Sequence, residues 1–187
     1  NCQRGLAGVT FGHFLIKQVV EEISRDNPGL STFVTLSPAP NFAEWLRRER
    51  TNEKSQSGSA EDRKALEALD QEGWWQKPDL REQLEEPLMR AAATYFLHAR
   101  NARAMPVDAV ARFHLGNGAR LEQIDFLGDI SEKGIKQAHG MMVNYRYDLD
   151  YIERNHEAYA QNRAVAASGT VKRLVRAMPA ELAAVAD

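Results

Sequence analysis

The chain has 187 residues, 27% of them charged, a formal net charge of -2 and one cysteine. That length suits one domain of ordinary size with a sizeable core, and the near-balance of charge excludes a global field that would draw the chain to nucleic acid or an anionic membrane. No apolar run is long enough to span a bilayer, and Cys2 alone excludes an internal disulfide, so a reducing, cytoplasmic compartment is expected.

Phe11, Leu15, Val19 and Ile23 recur every four residues, with Ile16 and Val20 beside them, which predicts an amphipathic helix from about Gly12 to Arg25. The Asp26-Asn27-Pro28-Gly29 segment ends it, because proline cannot continue a helix and disfavours a helical residue before it. STFVTLS, residues 31–37, is β-branched and aromatic and reads as a strand, closed by Pro38 and Pro40. Residues 42–50 read as a short helix, and the polar, glycine- and serine-rich stretch 51–62 as a mobile loop. A helical pattern covers Glu61 to Gln71 and is broken by GWWQKPD at 73–79. A longer one runs from Asp79 to about Arg100, where Pro87 either kinks the helix or starts a second one.

Val107, Val110, Ala111 and His114 then share a helix face. Residues 119–127 read as a strand, 131–138 as a helical turn, 140–147 as another strand, and 148–178 as mostly helical. The expected class is therefore α+β and helix-rich. Arginines interleave with acids in LRRERTNEKS (46–55) and QLEEPLMR (83–90), which marks solvated helix faces rather than a phosphate-binding stripe.

Three places carry chemistry, each beside a plainer reading. Gly5, Gly8 and Gly12 precede a helix whose unpaired N–H groups and dipole suit a phosphate, but the spacing matches neither the Rossmann fingerprint nor a Walker loop and serves equally well as a simple turn. Ser37 ends a strand in a proline-fixed bend that would present its hydroxyl rigidly; a turn serine bonded to its own backbone is the commoner case. His114 lies between Phe113 and Leu115, an apolar frame that would depress its pKa unless a carboxylate compensates. A helix-end histidine bonded to a carbonyl is the plainer alternative there, but Gly116 and Gly118 around Asn117 let the backbone approach a ligand closely, so Asn117 joins the substrate-binding candidates. His98 and His156 fall in polar helical contexts and His139 precedes a glycine turn; no histidine pair has metal-ligand spacing on one helix face, so no metal site is expected. Asp129, Ser131, Asn144 and Tyr147 are further polar candidates with little support from the sequence.

The segments QRGLAGVTFGHFLIKQVV, FVTLSPAPNFAEWL, PLMRAAATYFL, PVDAVARFHLGNGA, DISEKGIKQAHGMMVNYRYDL and NHEAYAQNRAVAAS together resemble the malonyl-CoA decarboxylases, in the family's order from Gln3 to about Val175. The resemblance implies a partial fold like the GNAT acyltransferases, a mixed sheet with surrounding helices, in which a preceding helical domain and the first strands are absent. A start at Asn1 with a glycine turn within five residues agrees with a piece of a longer protein. It also implies that Ala7, Gly8, Val9, Thr10, Phe11, Gly12 and His13 line the CoA, and that Ser37 and His114 are catalytic. The implied activity is decarboxylation of malonyl-CoA to acetyl-CoA and CO2, in a homo-oligomer, without metal, biotin or other cofactor. An acyl-CoA acetyltransferase, a thioesterase or a non-catalytic acyl-CoA-binding module would share the CoA site.

Overall fold

Helix α1 (Gly12–Asp26) forms where the four-residue apolar spacing predicts it, and it stops at Asn27, whose backbone N–H and side-chain amide both donate to the Ile23 carbonyl. The structure, a computed structural model, describes residues 12–52, 55 and 57–176, with 12–15 and 176 given by their backbone.

Strand β1 (Phe33–Pro38) alternates as a half-buried strand does: Val34 and Leu36 are exposed on one face, while Phe33, Thr35 and Ser37 face inward. It pairs antiparallel with β3 (Met142–Tyr147), which pairs antiparallel with β2 (Arg120–Asp125), giving the order β1-β3-β2. The register sets Phe33 opposite Tyr147, Thr35 opposite Tyr145 and Ser37 opposite Val143. A bulge between Leu121 and Gln123 breaks the second ladder, and Ala167 bridges Leu121 in parallel from outside the three strands.

Helices cover the inward face. These are α2 (Phe42–Thr51), α3 (Ala60–Ala65), α4 (Pro78–Leu97), α5 (Ala109–Gly116), α6 (Glu132–Ala138), α7 (Ile152–Asn162) and α8 (Gly169–Arg176), so the α+β, helix-rich class expected from the sequence is the class found. Ser59 caps α3 by accepting the Asp62 N–H, so helix begins inside the stretch expected to be a loop. The pattern from Glu61 to Gln71 resolves into α3 and a 3₁₀ turn, Leu66–Asp70, that buries Leu66, Ala68 and Leu69. Pro87 neither starts a helix nor ends one: it lies buried within α4, among Leu84, Leu88, Ala91, Ala92, Tyr95 and Phe96. The core joins that α4 face to Phe42, Trp74, Leu121, Val143, Tyr145 and Val171, with Phe42 edge-on to Tyr95 at 5.5 Å between ring centroids.

His139 ends α6 in the left-handed region (φ 49°), between the rings of Phe42 and Trp74. Burial, aided by the positive charge of Arg50 and opposed by Asp70, lowers its pKa to about 4. The unfolded chain then holds a proton on this imidazole, between about pH 6.5 and 4, that the folded chain does not. Its contribution to stability is full above about pH 6.5 and is lost as the pH falls towards 4. His139→Asn keeps a residue tolerant of the left-handed region and removes the titration. The loss of unfolding free energy between pH 7 and pH 5, measured by urea denaturation, is expected to shrink by on the order of 1–2 kcal/mol in this variant. An unchanged pH dependence would mean that His139 charges freely in the folded state.

Candidate active site

The site is built around α5, which is held at both ends. Asp108, 1% exposed, accepts the Ala111 N–H at 2.7 Å and the Tyr95 hydroxyl at 3.1 Å, so the N-terminus is capped by a carboxyl that is itself hydrogen-bonded in the core. Burial raises the pKa of both partners. At the other end the chain turns through Gly116, Asn117 and Gly118 against α7. The His156 ring donates to the Gly116 carbonyl at 2.6 Å, and the Asn155 amide donates to the Gly118 carbonyl at 3.1 Å. Gly118 has φ 76°, and a Cβ there would lie 2.2 Å from the Ile152 carbonyl oxygen, so this position admits only glycine.

That frame sets His114, 7% exposed, over the sheet. Its ring stacks on Tyr145 at 4.3 Å and 15°. Nε2 meets the Ser37 hydroxyl at 3.0 Å and Nδ1 meets the Tyr147 hydroxyl at 2.7 Å. Ser37 and Tyr147 lie on adjacent strands, and α5 lays the imidazole between them. Both its hydrogen-bond partners are neutral hydroxyls, and burial lowers its pKa to about 4. A neutral imidazole has one N–H, so two orders are open. Either Ser37 donates to Nε2 and Nδ1–H donates to Tyr147, or Tyr147 donates to Nδ1 and Nε2–H donates to Ser37. The second leaves the Ser37 proton free for a ligand. Burial also raises the Tyr147 hydroxyl above its ordinary pKa, so it stays protonated.

Of the residues singled out in the sequence, Ser37 and His114 are thus brought into contact, and Tyr147 joins them. The frame differs in one respect: Leu115 is buried, but Phe113 is 52% exposed and touches His114 only edge-on, so Tyr145 supplies the apolar wall expected of Phe113. Asn117 is buried beside the site, with its amide N–H donating to the Phe113 carbonyl. Asn144 is on the other face of the sheet, bonded to Asp125, while Asp129 and Ser131 order the start of α6. Ala7, Gly8, Val9, Thr10 and Phe11 lie outside the described residues; Gly12 and His13 open α1, with only their backbone described. His156 and Asn155 were missed, and their signal is faint: two polar residues on a helix about 40 positions beyond the turn they clamp. Among the described residues no group of three or more His, Cys, Asp or Glu could hold a metal ion, and no helix is long and apolar enough to cross a membrane.

The family model described as the malonyl-CoA decarboxylase C-terminal domain matches residues 1–185. Mitochondrial malonyl-CoA decarboxylase of Anser anser anser is 36% identical over an alignment of 189 positions, gaps included, that covers 90% of this chain and 37% of that protein. The Rattus norvegicus mitochondrial enzyme is 36% identical over an alignment of 191 positions that covers 92% of this chain and 39% of that protein. The crystal structure of malonyl-CoA decarboxylase from Rhodopseudomonas palustris superposes with a TM-score of 0.88 at 53% identity, covering 93% of this chain and 40% of that one. The Agrobacterium vitis structure superposes with a TM-score of 0.86 at 54% identity, covering 94% and 43%. This chain therefore spans less than half the length of each of these relatives.

The burial of His114 makes a direct prediction. In the ligand-free protein its ring nitrogens, followed by ¹⁵N NMR, should titrate with a midpoint near pH 4, well below the ordinary histidine midpoint. A midpoint of 6 or above would show that water or a carboxylate reaches the ring.

Proposed function

The chain belongs to the malonyl-CoA decarboxylase family, and we propose that it carries that family's reaction, loss of the free carboxyl of malonyl-CoA as CO2 to leave acetyl-CoA, with Ser37 and His114 as the catalytic pair. The observation that supports this best is the buried hydrogen-bonded chain from Ser37 through His114 to Tyr147.

The bond between the carboxylate carbon and the methylene carbon breaks, CO2 leaves, and the electron pair moves into the thioester as an enolate. The methylene carbon then takes a proton. The thioester is its own electron sink, so no step as written calls on a metal or an organic cofactor. Burial keeps His114 neutral near pH 7 before substrate binds. A bound malonyl carboxylate supplies the negative charge that the site lacks and favours the imidazolium. The position of His114 in the last turn of α5 adds to this, because a helix C-terminus favours a cation. In that cation Nδ1–H donates to Tyr147 and Nε2–H to Ser37, leaving the Ser37 proton to donate to substrate. Ser37 passes its proton to the methylene carbon and takes one from Nε2, so His114 returns to neutral. Ser37 is thus a relay: an unactivated hydroxyl is a poor base near neutral pH, but it can carry a proton from an imidazolium. The segment from Ala7 to His13, glycine-rich and leading into the start of α1, is read as the seat of the CoA pyrophosphate at a helix N-terminus.

With malonyl-CoA labelled at the free carboxyl, the protein should release labelled CO2 with stoichiometric acetyl-CoA. His114→Ala and Ser37→Ala should each lower turnover at least about a hundredfold. Turnover within tenfold in His114→Ala would sink the assignment. Free CoA with malonate would mean a thioesterase, and binding without turnover an acyl-CoA-binding module. The proposed charge coupling has its own readout. At pH 7, malonyl-CoA binding should take up close to one proton and acetyl-CoA binding almost none, as read by calorimetry in buffers of different ionisation heat. Equal proton uptake with the two ligands would contradict it.

A further inference from the structure

Five buried side-chain atoms among the described residues have no hydrogen-bond partner: Thr35 Oγ1, Asn117 Oδ1, the hydroxyls of Tyr145 and Tyr159, and Arg146 Nε. An unpartnered buried polar group costs stability, so each asks what it meets in the working protein. The reaction proposed above leaves one such need open. Charge develops on the thioester oxygen as CO2 leaves, and a donor must face it, while Ser37 and His114 are engaged in protonating carbon.

Four of the five fail that requirement. Asn117 offers only an acceptor there, because its amide N–H is already given to the Phe113 carbonyl. Arg146 belongs to the β3 face opposite to Tyr145 and Tyr147, away from His114. Tyr159 lies on α7 against Gly116, at the C-terminal end of α5 and away from β1. Tyr145 is wholly buried, and its phenol lies among Asp108, Tyr95, Tyr147 and Tyr159 in the core.

Thr35 meets it. It shares the inward face of β1 with Ser37, two residues away and so about 6.6 Å along the strand. The register sets it directly opposite Tyr145, on whose ring His114 stacks, so it lies in the row between Ser37 and the Phe33–Tyr147 pair. The residue is half-buried at the surface of the sheet, and its hydroxyl is buried with no partner.

Resting on the decarboxylase reading, we infer that Thr35 is a further substrate-contacting residue, whose hydroxyl donates to the thioester oxygen of malonyl-CoA as that oxygen becomes an enolate. A donor of this kind is worth most where water is excluded and where charge appears only in the transition state. Its loss therefore falls on kcat rather than on KM.

The test compares Thr35→Val, which keeps the shape and removes the hydroxyl, with Thr35→Ser, which keeps the hydroxyl, both in the full chain with malonyl-CoA as substrate. Thr35→Val should lower kcat about a hundredfold, leave KM within about threefold, and match or exceed the parent in Tm, because it removes an unpartnered polar atom. Thr35→Ser should stay within about threefold of the parent kcat. A Thr35→Val kcat within threefold, or a loss carried by KM alone, overturns the inference and leaves the decarboxylase reading intact. A lower Tm in Thr35→Val, with Thr35→Ser equally impaired, assigns the hydroxyl a structural role and also overturns it. Failure of the unsubstituted protein to release CO2 overturns both.

Discussion

Taking an imidazole out of water favours its neutral form, and a neutral imidazole has one N–H and one lone pair, so it can hold two hydroxyl partners only in a directed order. His114 is in that situation, with Ser37 at one nitrogen, Tyr147 at the other and an aromatic ring beneath it. Among the described residues no charged group bonds to the ring to relieve the desolvation, and its pKa falls to about 4. Such a ring keeps its place only if the backbone carrying it is over-determined. The two ends of α5 do this, through Asp108 in the core at one end and the Gly116–Gly118 turn pinned by α7 at the other.

The same constraint explains the sheet. Ser37 and Tyr147 are 110 positions apart in sequence, and no local element could bring them to one ring. Antiparallel pairing of β1 with β3 does so, because the register puts Ser37 and Phe33 on the inward face of β1 and Val143, Tyr145 and Tyr147 on the matching face of β3. A slip of one residue would turn either set outward and exchange Ser37 for Leu36 or Pro38. The buried positions Val143 and Tyr145 oppose that slip, since it would expose a fully buried valine and a fully buried tyrosine.

What could be read from the sequence follows the range of the interactions. The helix at Gly12–Asp26, the strand that carries Ser37 and the helix face that carries His114 depend on local spacing and on proline or glycine stops, and all were legible. Tyr147 was visible only as one polar residue among several, because its role depends on a pairing register that no local pattern states. Phe113 was assigned to the wall of the site by adjacency alone, yet a helix sends neighbours about 100° apart, and its ring turns mostly to solvent. Pro87 inside α4 shows tertiary burial overriding a local breaker. His139 stood out in the sequence only as preceding a glycine turn, and the packing of α6 against Phe42 and Trp74 is what sets its ring among aromatics.

On the proposed reading, substrate and product of this site differ by one carboxylate, and that difference is what a neutral, buried imidazole can sense. A permanent carboxylate beside His114 would hold the imidazolium at all times and would repel the malonyl group, since two like charges in one buried site raise each other's cost. With only hydroxyls as partners, the ring waits uncharged, and the substrate carries in the negative charge that makes the proton donor. Loss of CO2 spreads that charge into the enolate, proton transfer then cancels it, and the ring is left neutral beside a neutral acetyl thioester. The charge pair exists only while there is something to decarboxylate. A site without an acid beside its histidine is therefore suited to a reaction that consumes one proton and one negative charge in each turnover.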